Sequence, residues 1–118
     1  MYKRQAPAAA VLAEALAQRD ERRTIAVTGM LGDKGVAAVG QLLNRHIDHW
    51  VLCSIAEPRG LSGAELRERL GSLRAPSELA ADVPRGCERA RQLSRDGDRV
   101  LVFGSFHTVG PALQWLAL

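Results

Sequence analysis

Lysine is scarce in this 118-residue chain. Of its 16 basic residues 14 are arginine, and only Lys3 and Lys34 are lysine. That scarcity singles out Lys34 in a glycine-rich turn: either a compact ammonium is wanted there in place of a planar guanidinium fork, or the lysine falls by chance on a solvated loop. Aromatic residues are also few: two Phe, two Trp and one Tyr, with no basic stripe interleaved among them. Nucleic-acid binding is therefore poorly supported. The formal net charge of +3 adds little, because Lys3 and Arg4 supply two of those charges. The two cysteines, Cys53 and Cys87, lie far apart and match no metal spacing. They read as buried thiols of a cytoplasmic protein, not as a disulfide framework. No apolar run approaches the roughly 18 residues of a membrane span. The Ala-rich start carries Glu14 and lacks a secretory layout, so no signal peptide is expected. Internal repeats, low-complexity tracts and interdomain linkers are absent too.

What remains is an ordinary globular composition, 47% hydrophobic and 25% charged. One domain of this size buries roughly two-thirds of its unfolded surface. The pattern along the chain alternates. Pro7 to Arg19 reads as a helix with Val11, Leu12, Ala15 and Leu16 on one stripe. Thr24 to Thr28 reads as a strand apolar enough to be buried on both faces. Gly29 to Gly35 is a turn, and Val36 to Asn44 a helix with Val36, Val39, Leu42 and Leu43 inward. His49 to Ile55 is a second strand. Glu57 to Gly60 is a loop, and Ser62 to Leu70 a helix opened by a Ser62–Glu65 capping box. Leu73 to Ala75 is expected as a short third strand. Pro84 to Arg95 is a helix with Cys87, Ala90 and Leu93 inward; Asp96 to Asp98 is a turn. Arg99 to Phe103 is the last strand, and Phe106 to Leu116 the last helix. Strands alternating with helices predict an α/β fold: a three-layer α/β/α, Rossmann-like domain with a mostly parallel sheet. Residues 1–6 lack periodicity and read as a tail outside a domain spanning 7–118.

Three stretches are candidates for chemistry. Gly29-Met30-Leu31-Gly32-Asp33-Lys34-Gly35 sits between a strand and a helix, and its glycines permit close backbone approach to a ligand. It matches neither the dinucleotide fingerprint nor the phosphate loop. Asp33 is expected to cap the following helix or to orient Lys34. Glu57-Pro58-Arg59-Gly60 follows a strand end, where Arg59 could clamp a carboxylate or phosphate, or lie in a plain surface turn. Val100 to Phe103 feeds through Gly104 and Ser105 into a helix at Phe106 and His107, placing a hydroxyl and free N–H groups at a strand's carboxyl end. A hydrolase reading fails there, since no Gly-x-Ser-x-Gly elbow is present. His46 and His49 are expected at the surface, and no metal site is expected. A phosphoacceptor receiver domain fails as well, for Thr28-Gly29-Met30 and Cys53-Ser54-Ile55 supply no acidic residues.

Together Gly29 to Lys34, Pro58-Arg59-Gly60 and Val100 to Val109 resemble the C-terminal domain of bacterial folylpolyglutamate synthase/dihydrofolate synthase, a member of the Mur ligase superfamily. The resemblance covers residues 7 to 118. It implies part of an ATP-dependent amide ligase that adds L-glutamate to dihydropteroate or a folyl-polyglutamate through an acyl phosphate. The phosphate loop, the Mg2+ ligands and the pterin site would lie in an N-terminal ATPase domain absent here. Asp33, Lys34, Arg59, Gly104, Ser105, Phe106 and His107 would bind glutamate and close over ATP. The family's Asp-Gly-Ala-His-Asn-Pro opening is not matched by Tyr2 to Ala6, so no catalytic residue carries over. The alternative is a stand-alone nucleotide- or anion-binding module without chemistry of its own.

Overall fold

A computed structural model describes residues 23–32, 35–104 and 106–117, with only the backbone given for 106, 107, 109, 116 and 117. The expected helix over 7–19 and the expected tail over 1–6 lie outside them. Four parallel strands form one sheet: β1 (Thr24–Gly29), β2 (His49–Cys53), β3 (Ser77–Ala80) and β4 (Arg99–Gly104). Their order is β3-β2-β1-β4. All six residues of β1 are buried, as expected of a strand covered on both faces.

Side-chain alternation along the strands divides the core in two. Ala26, Trp50 and Leu52 face one layer with Val39, Leu43, Leu66 and Leu70. That layer holds α1 (Val36–Leu43) and α2 (Gly63–Leu70). Ile25, Val27, Val51 and Cys53 face the other, with Val83, Cys87, Ala90 and Ala112. It holds α3 (Val83–Leu93) and α4 (Phe106–Ala117). This is the expected three-layer arrangement.

Several local expectations are corrected. The third strand is Ser77–Ala80, not Leu73 to Ala75. Leu73 and Ala75 instead pack against the Trp50 layer from the connecting loop, so their apolar character serves burial without pairing. Leu42 is exposed, since α1 turns only Val36, Val39, Gly40 and Leu43 inward. β2 ends at Cys53, after which Ile55 N–H leaves the ladder and donates to the Leu61 carbonyl. α3 runs from Val83 to Leu93, capped by the Asp82 carboxylate, which accepts from Arg85 N–H at 2.9 Å. The Ser62–Glu65 capping box is present in both directions.

His49 is no surface residue. Its side chain is 16% exposed, and Nε2 lies 2.7 Å from Glu78 Oε2 on the neighbouring strand. Arg89 of α3 completes the group, donating from Nε and Nη2 to Glu78 at 2.8 and 3.2 Å. His46 is half-buried.

Candidate functional site

From β1 the chain moves outward through β2 to β3, then crosses back to place β4 on the other side of β1. The connections diverge between β1 and β4. In open α/β sheets the crevice outside the strands' carboxyl ends at such a point is where ligands bind. The strands there end on two glycines that face each other in register, Gly29 and Gly104.

Gly104 is held at φ +138°. A Cβ on it would lie 2.2 Å from the Gly29 carbonyl oxygen. Both the backbone angle and the contact demand glycine. The same oxygen accepts a hydrogen bond from the buried Thr108 hydroxyl, at 2.5 Å. The opposite side of the turn is held by backbone alone. Gly32 N–H donates to the Arg59 carbonyl at 2.7 Å, and Leu61 N–H to the Met30 carbonyl at 3.0 Å. Leu31 and Gly60 thus form an isolated antiparallel bridge. A Cβ at Gly60 would meet the Ile55 carbonyl oxygen at 2.0 Å, so this approach also needs glycine.

The three candidate stretches therefore converge. Gly29 to Gly32 is flanked on one side by Gly104 and Thr108 and on the other by Arg59 and Gly60. Arg59 takes part through its carbonyl, and its side chain is exposed. Asp33, Lys34 and Ser105 lie outside the described residues, as do the side chains of Phe106 and His107. The N-cap of α1 falls on Gly35 (φ 100°), two positions beyond Asp33, which corrects the expectation that Asp33 occupies it. α4 begins at Phe106, directly after Ser105. Sequence reasoning passed over Thr108; nothing in its neighbours points to an acceptor 79 positions away.

The helix starts differ in what they offer an anion. α2 is filled by Ser62 and Glu65, and α3 by the Asp82 carboxylate. α1 starts from a glycine and has no acidic residue in its first turn. Its amide donors and dipole thus meet no carboxylate from those positions. A cleft of about 190 Å3 opens between Ser54–Glu57 and Asp82–Pro84, with Pro111 on its wall. The Asp82 carboxylate makes that cleft a poor seat for an anion. Among the described residues no three His, Cys, Asp or Glu side chains gather to hold a metal. No helix there is long and apolar enough to cross a membrane.

Residues 5–106 match the profile of the Mur ligase, glutamate ligase domain. The chain belongs to that family. A dihydrofolate synthase/folylpolyglutamate synthase of Haemophilus influenzae is 41% identical over 97 residues, 80% of this chain and 22% of that protein. The bifunctional folylpolyglutamate synthase/dihydrofolate synthase of Yersinia pestis, solved with AMPPNP and Mn, superposes with a TM-score of 0.85. It is 35% identical over 97% of this chain and 27% of its own. A crystal structure of such an enzyme with Mn, AMPPNP and L-glutamate bound is 34% identical, with a TM-score of 0.82 and the same coverage. This glutamate ligase domain thus spans about a quarter of the length of the relatives it matches.

Proposed function

We propose that this chain is the glutamate-binding, ATP-closing C-terminal domain of a cytoplasmic ligase that adds L-glutamate to dihydropteroate or a folyl-polyglutamate. The observation that supports it most is the convergence of Gly29–Gly32 with Arg59 and Gly60 on one side and Gly104 and Thr108 on the other, at the divergence point of a sheet in a glutamate ligase domain. The reaction transfers the γ-phosphoryl of ATP to a folyl carboxylate. The glutamate amine then attacks the acyl phosphate, the amide bond forms, and phosphate leaves with its electron pair as the amine loses a proton.

In this reading the chain orients the nucleophile. Ser105, with the N–H groups of Phe106 and His107 at the start of α4, holds a glutamate carboxylate, since a helix start favours an anion. Lys34 adds a positive charge beside it, Asp33 orients Lys34, and Arg59 supports the turn. Gly104 lets the backbone reach that position. The described residues do not fit Mg2+, lacking a ligand cluster, so no step is assigned to the ion here. ATP phosphates and the metal belong to an N-terminal domain that acts as the partner of this one.

The isolated chain is expected to bind L-glutamate weakly and to release no ADP with ATP, Mg2+, dihydropteroate and glutamate. Phosphoryl transfer needs phosphate and metal sites; the 29–35 turn does not match a phosphate loop, and among the described residues no side chains gather to hold a metal. Multiple turnovers in a coupled ADP assay would overturn this. Grafted into a complete relative, Ser105→Ala should raise the KM for glutamate roughly 10- to 150-fold, and more than the KM for ATP, as loss of a hydrogen bond to a charged group does. An unchanged glutamate KM with a lowered Tm would leave Ser105 only a capping role.

A further inference from the structure

One carbonyl joins the two halves of the site. The Gly29 oxygen stands where β1 ends, in register with Gly104 at the end of β4. Beyond Gly29 the chain becomes the 30–32 turn, and beyond Gly104 it becomes α4. Thr108, in the first turn of α4, is fully buried, and its hydroxyl donates to the Gly29 oxygen across 79 positions. A helical threonine ordinarily bonds back to a carbonyl of its own helix. Here the hydroxyl reaches a different element. Packing alone does not call for it, because valine has the same branched shape. Nor is every buried hydroxyl of this protein bonded, for Thr28 Oγ1 has no partner.

We propose that Thr108 is a positioning residue whose hydroxyl locks the first turn of α4 to the exit of β1. It thereby fixes the separation between the donors at that helix start and the Gly29–Gly32 turn. The consequence for glutamate rests on the ligase reading above; the mechanical coupling does not. The bond is short and buried. Nothing covalent links the two turns within 70 residues, so the sheet pairing of Gly29 with Gly104 and this hydroxyl set their spacing.

The test compares Thr108→Val and Thr108→Ser with the unaltered chain by amide hydrogen exchange and by L-glutamate titration. The reporters are Gly32, whose N–H is bonded to Arg59, Gly110 within α4, and Val51 at the sheet centre. In Thr108→Val, exchange at both Gly32 and Gly110 should rise about tenfold relative to Val51, the effect of one lost buried hydrogen bond. Thr108→Ser should restore both. The glutamate Kd should rise about tenfold in the Val variant and recover in the Ser variant. A rise at Gly110 alone, with Gly32 unchanged, would mean that the helix end merely frays and would overturn the proposal. If the unaltered chain shows no glutamate binding, the ligase reading fails, while the paired exchange response still decides the coupling.

Discussion

Glu78 shows how a single residue ties three elements together. Its carboxyl lies below the usual Glu range, first because Arg89 hydrogen-bonds to it and then because His49 does, against a desolvation penalty. A depressed carboxyl stabilises the fold above its unfolded value, and the stabilisation is lost as pH falls through the folded value. The wild-type chain should therefore be more stable than Glu78→Gln at pH 7. The gap between the two urea midpoints should shrink at acid pH, below the ordinary Glu value of about 4.3 and through the lower folded value, as the carboxyl takes up its proton. Midpoints that differ equally at both pH values would show that the charge of Glu78 is irrelevant. This group was not legible from the residues alone. His49 was expected at the surface, because three side chains from β2, β3 and α3 meet only once the sheet has formed. The same holds for Thr108. By contrast Gly104 was legible, because a glycine between a strand and a helix has few other uses.

At the scale of elements, the strands and helices with a strong apolar period were readable, and the weak one was not. β3 contains Ser77, Glu78, Leu79 and Ala80, with Leu79 half exposed, so its pairing with β2 rests on backbone bonds that leave no pattern in the residues. Leu73 and Ala75 drew the expectation instead, since burial in a loop and burial in a strand look alike over three residues. Helix contacts leave a subtler mark. Gly40 of α1 lies against α2, where a Cβ would fall 2.4 Å from the Leu70 carbonyl oxygen. Gly40→Ala gains about 0.5–1 kcal/mol of helix propensity. It also forces two backbones apart, at about 1–3 kcal/mol for overpacking. The clash should win, giving a net loss of about 1–2 kcal/mol in urea denaturation. A stabilised variant would show that α1 slides freely over α2.

For the molecule as a whole, the two thiols report on the integrity of one face. Cys53 and Cys87 are both free and buried in the layer beneath α3 and α4. Burial pushes the Cys53 thiol up to about 12, with Cys87 and Asp82 adding to it, and burial raises Cys87 as well. At pH 8 only about one Cys53 in ten thousand would be thiolate, the reactive form. Labelling by a disulfide reagent should therefore be limited by unfolding and independent of reagent concentration at high reagent. Two thiols should appear at once in guanidinium. Rapid labelling proportional to reagent would mean that this face opens locally.

The strand order has a further consequence, on the ribosome. β1 is the centre of the finished sheet, yet one of its neighbours is made 75 residues later, as the Thr24–Arg99 contact shows. At about 5–20 residues per second, synthesis leaves that flank of β1 without its partner for roughly 4–15 seconds. Nascent β1, β2 and β3 can associate in that interval, but they present an open, apolar edge at what will become the middle. Closure waits for β4, and the strand that completes this flank also brings Gly104 beside Gly29 at the candidate site. That flank of the sheet and the candidate site are thus completed together, and until then the half-made sheet presents an unpaired edge open to aggregation.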